Sequence, residues 1–238
     1  MTAAAAPTRL SSRELIAIAA GAIEPLLNRV VFSGRHVAGY LLNNAVGTAS
    51  ISTFTGDDIV RVLSTSSLDR VAADFQRLGL TRGTRTAASE QWRVSDRVAI
   101  DLMHVSGNDG DGTAIWHEYA SLLTMVATVS LADRQLNVRV TGAPALLALD
   151  WSAYLASGEN PHDSGELADI ITLVAGRAEV VRELGASPPE LRDFVAGAIR
   201  RFGEYDGAEH VIRAALPAAN RSAAMVQRVV ERLRAMAA

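Results

Sequence analysis

The sequence predicts an α/β (α+β) chain, with a mixed β-sheet in its first part and a helical bundle in its second. Two observations carry this expectation. β-branched and alternating apolar–polar stretches recur between positions 58 and 140, at the period of half-buried strands. From Pro144 onward the apolar residues fall at helical spacing instead, in five successive segments. No internal repeat and no low-complexity linker interrupts the order. The reading divides the chain into a lead-in over 1–10, an α/β region over 11–142 and a helical region over 143–238.

Each element has its own signal. Ser11 and Glu14 stand at capping-box spacing, and Leu15, Ile18, Ala19, Ile23, Leu26 and Leu27 follow on one face, so a helix is expected over Ser11–Asn28. The apolar segment His36–Leu42 reads as a short strand, and Ala45–Ala49 as one or two helical turns. Asp58–Ser64 alternates and is β-branched, so it reads as a strand. Ser67–Leu78 is amphipathic and ends at Gly79. Gln91–Val94 and Val98–Val105 form a hairpin around Ser95-Asp96; Met125–Leu131 and Leu136–Val140 form a second around Asp133-Arg134. The string Gly107–Gly112 reads as a loop. Helices are expected over Pro144–Ala156, Ser164–Val174, Pro189–Phe202, Ala208–Leu216 and Arg221–Met236.

Composition narrows the function classes. Hydrophobic residues make up 49% and charged residues 21%, the balance of a globular core-forming chain. A net charge of −3 gives no electrostatic footprint for nucleic acid, so no nucleic-acid partner is expected. No long apolar run free of charge points to a membrane span. The Ala-rich start lacks a basic, then apolar, leader pattern, which points to the cytoplasm. With no cysteine, thiol nucleophiles and zinc–thiolate sites are excluded. All 23 basic residues are Arg, so no lysine is present to form a Schiff base or hold a phosphate.

Within this pattern, a strand ending in Leu41-Leu42-Asn43-Asn44 leads to a second beginning Asp57-Asp58-Ile59-Val60. A helix from Ser67 to Leu78-Gly79-Leu80, a strand with Ile100-Asp101-Leu102, and a helical pair with Ala168-Asp169-Ile170 follow. This order resembles the nucleotidyltransferase toxins of abortive-infection type, over roughly Ser33 to Leu184. The resemblance implies a cleft for a nucleoside triphosphate. Its metal ions, commonly two Mg²⁺, would be held by Asp58, by the position of Val60, and by Asp101.

The departures from that pattern concern the chemistry. Val60 cannot bind a metal. Asn43 and Asn44 stand where glycines would let backbone amides approach phosphate. Phe54 replaces a basic residue, Gly56 a Thr, Asp150 a Lys, and Ser164-Gly165 a Lys-Asp pair. These changes all turn a site for an anion into one for a less charged ligand.

The candidate catalytic residues are therefore Asp58, Asp101 and His104, with Tyr40, Asn43, Asn44, Phe54, Val60 and Trp151 around a small-molecule ligand and no metal site. A carboxylate inside an apolar strand, as at Asp101, needs a compensating role. The competing reading makes Asp58 a strand cap, Asn43 and Asn44 turn residues, and Tyr40 and Trp151 core. His117 and Glu118 are either acid/base groups beside the Gly/Asp loop or the polar start of a helix. Asp109 and Asp111 match only part of a calcium loop, which lacks its final Glu.

Three functions follow as expectations. One is a repurposed, metal-free enzyme doing acid/base, cyclisation or isomerisation chemistry on a small organic molecule. Another is an active toxin-type nucleotidyltransferase with a reduced, weak Mg²⁺ site. The last is a non-catalytic protein that binds a ligand or partner.

Overall fold

The computed structural model describes residues 10–43, 58–86, 88–105 and 114–238. Helix α1 (Ser12–Ala22) opens with the expected capping box: the Glu14 amide donates to Ser11 Oγ, and the Ser11 amide donates to the Glu14 carboxylate at 2.7 Å. The helix stops well short of Asn28. Pro25 lacks an amide hydrogen and starts a 3₁₀ turn at Glu24–Leu26 instead.

Strand β1 (Val31–Ser33) follows, fully buried. The strand expected at His36–Leu42 is not one. Arg35–Val37 is a 3₁₀ turn and Ala38–Leu41 is helix α2. The reason lies in spacing: Val37 and Leu41 are both fully buried at i and i+4, a helical repeat, and Gly34 at φ 75° has already ended the strand.

The remaining elements are β2 (Ile59–Ser64), α3 (Leu68–Arg77), β3 (Thr81–Arg85), β4 (Ser89–Arg93), β5 (Ala99–His104), α4 (Ala114–Leu122), β6 (Thr124–Ser130) and β7 (Gln135–Thr141). After Gly142 only helices follow: α5 (Ala143–Ser157), α6 (Gly165–Gly176), α7 (Val180–Gly185), α8 (Pro189–Gly203), α9 (Ala208–Ala215) and α10 (Ala223–Ala237). Strand β3 gives no apolar signal because every residue in it is exposed; it is held by pairing with β4, with Arg82 on Glu90.

The seven strands form one sheet in the order β3-β4-β5-β2-β1-β7-β6. The β1–β7 and β2–β5 pairs are parallel and the others antiparallel, so the sheet is mixed as expected. One face of its central strands is core. Val60, Ile100 and Trp92 are register partners, all fully buried, and Phe75 of α3 meets Trp92 edge-on with ring centroids 5.6 Å apart. The opposite face of these strands looks toward α5 and α6. Among the described residues no helix is long and apolar enough to cross a membrane.

Candidate functional site

Strand alternation sends Val60 into the core and its neighbours Ile59 and Arg61 out of the other face. Register then aligns the strands. Ser33 pairs with Arg61, Arg61 with Asp101, and Asp101 with Gln91. These four side chains form a single polar row across β1, β2, β5 and β4, and all four line one cavity of about 590 Å³. Helix α5 provides the facing wall. Ser152, Ala153 and Ala156 are small, which leaves the space open.

The floor and the wall carry opposite signs. On the floor, Arg61 Nε stands 3.4 Å from Asp101 Oδ2. On the wall, Asp150 from α5 joins Glu166 and Asp169 from α6. Ser164 caps α6 by accepting from the Leu167 amide, and donates its own hydroxyl to Glu166 at 3.3 Å. Asp169 sits 3.3 Å from Arg35 Nε. Gly165 makes room for this guanidinium: a Cβ there would meet Arg35 Nη2 at 3.1 Å.

Burial sets the protonation of the wall. It raises the Asp169 carboxyl to about 7, with Arg35 opposing and Glu166 adding to the shift. The Asp150 carboxyl is held well above the usual carboxylate range, first by burial and then by the charges of Asp169 and Glu166, against Arg61 and Arg35. Two of the lining residues carry a buried polar atom with no hydrogen-bond partner among the described residues: Ser33 Oγ and Asp169 Oδ1. His36, 3.2 Å from Ser12 Oγ through Nδ1, and His117 complete the titratable lining.

Of the residues expected at a site that are described, Asp101 and His117 line this cavity. Asp58 precedes β2 by one residue, on the face opposite Arg61 by alternation, and its carbonyl accepts from the Ala99 amide. His104 lies on the face opposite Asp101, with Nδ1 3.1 Å from the Ser66 carbonyl. Val60 and Trp151 cannot be ligand walls, because both are fully buried; Trp151 packs against Tyr154 and Phe202. Tyr40 is half-buried beneath the Arg13 guanidinium, outside the cavity. Asn43 ties the end of α6, donating to Glu179 at 2.6 Å and accepting from the Ala178 amide. His117 is the fourth residue of α4, near its start, and also lines the cavity. Asn44, Phe54, the turns at Ala45–Ala49, Asp57, and Asp109 and Asp111 lie outside the described residues.

The implied metal pair does not fit the described residues. Arg61, a cation, occupies the cavity-facing position of β2 next to Asp101. No group of three or more His, Asp or Glu among the described residues is arranged to hold a metal ion.

No family model matches the chain, and no curated protein matches it. Among solved structures it is similar to the antibiotic-resistance factor ANT(2'')-Ia, whose solution structure reveals substrate-regulated conformation dynamics. The TM-score is 0.45 and the identity 15%, over 83% of this chain and 96% of that one. It is also similar to an antigenic nucleotidyltransferase-like protein from Paracoccidioides brasiliensis, with a TM-score of 0.49 and 15% identity over 89% and 98% of the two chains.

Proposed function

We propose that the cavity is the active site of a metal-free enzyme that moves a proton on a small organic molecule, in an isomerisation or cyclisation. The observation that carries this reading is the Arg61–Asp101 pair at the centre of the floor. A guanidinium there supplies a fixed positive charge without a metal, and it takes up the carboxylate on which a metal would depend.

In this reading Asp169 is the proton carrier. Its raised carboxyl matches a general acid or base working near neutral pH. The ionised form accepts a proton from the substrate, the electron pair moves into the substrate, and the proton returns at a second atom. Arg61 stabilises the charge that develops between the two steps. The ligand is a small molecule, and no nucleic acid enters.

A toxin-type nucleotidyltransferase is the second reading, and one observation favours it. Strand β1 ends in Ser33-Gly34 and a short helical segment follows, the order that the family resemblance sought at Asn43-Asn44. Gly34 lines the cavity and has no side chain to keep a ligand from the backbone.

Calorimetric titration with MgATP, MgGTP and MgCTP separates the two. The metal-free reading expects no micromolar binding of any triphosphate. Micromolar affinity, lost in Asp101→Asn, overturns it. Mass spectrometry of ligand carried through purification gives a second reading of the same question, since a bound nucleotide would also overturn it.

A further inference from the structure

We propose that the ligand of this cavity carries a protonated amine, held by Asp150, Glu166 and Asp169. The inference deepens the reading of the cavity as an active site for a small organic molecule, and rests on it.

Four carboxylates line the cavity, Asp101, Asp150, Glu166 and Asp169, against two guanidinium groups, Arg35 and Arg61. Each guanidinium is already beside a carboxylate: Arg61 at 3.4 Å from Asp101, and Arg35 at 3.3 Å from Asp169. Asp150 and Glu166 are left over. Glu166 accepts only the Ser164 hydroxyl, and the Asp150 side chain has no hydrogen bond or ion pair among the described residues, with Arg61 and Arg35 acting on it only from a distance. The wall therefore has acceptor capacity that the described residues do not answer, and a cation bound there would favour the ionised form of the raised Asp150 and Asp169 carboxyls.

Independent of that charge, two lining residues carry buried polar atoms that no group among the described residues satisfies. Asp169 is 8% exposed and its Oδ1 has no partner; Ser33 is 1% exposed and its Oγ has none. Buried polar atoms left this way are costly unless something meets them. An ammonium group brings three donors and one positive charge, which answers Asp169 Oδ1 and Asp150 together. On the floor, Ser33 Oγ stands ready for a neutral polar group elsewhere on the same molecule.

A divalent metal ion is the rival occupant, and it fits less well. Among the described residues no group of three or more His, Asp or Glu is arranged to hold one. A volume of about 590 Å³ is that of an organic ligand rather than of a bare ion.

The test uses two probes of the same shape, cyclohexylamine and cyclohexanol, followed by NMR chemical-shift titration of the full chain at pH 8. The expected result is that the amine binds at the cavity about tenfold or more tightly than the alcohol. Asp150→Asn and Glu166→Gln, each checked for an intact thermal melt, should remove that preference. Equal binding of the two probes, binding of neither, or a preference that survives both variants overturns the inference. So does competition by Mg²⁺ at micromolar concentration. Amine selectivity alongside micromolar MgATP binding would leave this inference standing and sink the metal-free reading. Lost selectivity without MgATP binding would do the reverse.

Discussion

On the floor of the cavity, Asp101 has Arg61 at 3.4 Å; on the facing wall, Asp150 has no ion-pair partner among the described residues. The two sides are built from the same residue types, and secondary structure makes the difference. Register pins neighbouring strands residue to residue, so a charge on β2 meets its counter-charge on β5 directly. The wall draws its acids from two helices, and they crowd one another: Asp169 has Arg35 at 3.3 Å, yet burial and the neighbouring acids still raise it and Asp150. The floor pair positions and polarises; the crowded, buried wall takes and returns protons. Burial and crowding, more than charge content, separate the two roles.

The comparison first needs the wall's framework to be distinct from its chemistry. Trp151 follows Asp150 on α5, is fully buried, and packs on Phe202 of α8. Trp151→Ala should cost about 3–5 kcal/mol in urea unfolding, the range for a large core deletion. Asp150→Asn should cost far less, and a loss as large as that of Trp151 would make Asp150 part of the framework.

Proton binding by the wall gives the next largest effect. Asp169 has its carboxyl raised from 3.8 to about 7 by burial, so between those values the folded chain binds a proton that the unfolded chain does not. Stability should therefore fall as pH rises from about 4 to 7 and then level off, by at most about 4 kcal/mol from this group. Arg35, Glu166, Asp150 and Arg61 surround the carboxyl and share in the slope. Thermal melts of Asp169→Asn across pH 4–8 should show a flatter profile than the parent. An unchanged slope would take Asp169 out of the role of proton carrier.

The smallest effect belongs to the floor. Arg61 is 46% exposed, so Arg61→Ala should change stability by no more than about 1 kcal/mol. A larger loss would mean that the pair holds the sheet together and is more than a feature of the cavity.

How much of this was readable beforehand follows from the range of each interaction. Local signals were legible: the Ser11–Glu14 capping box, strand β2, both hairpins and five of the helices after Gly142; the six-residue α7 (Val180–Gly185) was missed because it is too short to show a helical repeat. Strand β1 was missed because its three residues are uniformly buried and show no alternation, and β3 because it is polar throughout. At the site, Asp101 was found because a carboxylate in an apolar strand demands an answer. Its partner Arg61 was not, because alternation was counted from Asp58 rather than from Ile59, which reverses the face of every residue in β2. Asp150 and Asp169 were noticed only as departures or matches to a family pattern. What brings them together is the packing of α5 on α6, which sequence spacing does not express. The signal available was the same as for Asp101: a carboxylate within the apolar run Leu167–Val174.

The central claim is that the helical wall holds a carboxyl that titrates where a proton carrier works. The direct measurement is an NMR titration of the ¹³C-labelled Asp169 side-chain carboxyl in the folded protein, assigned by its loss in Asp169→Asn. The account predicts a midpoint near pH 7, as burial beside Glu166 dictates. A midpoint at the ordinary aspartate value near 3.8 would mean that Asp169 is simply the ionised partner of Arg35, and would contradict the account.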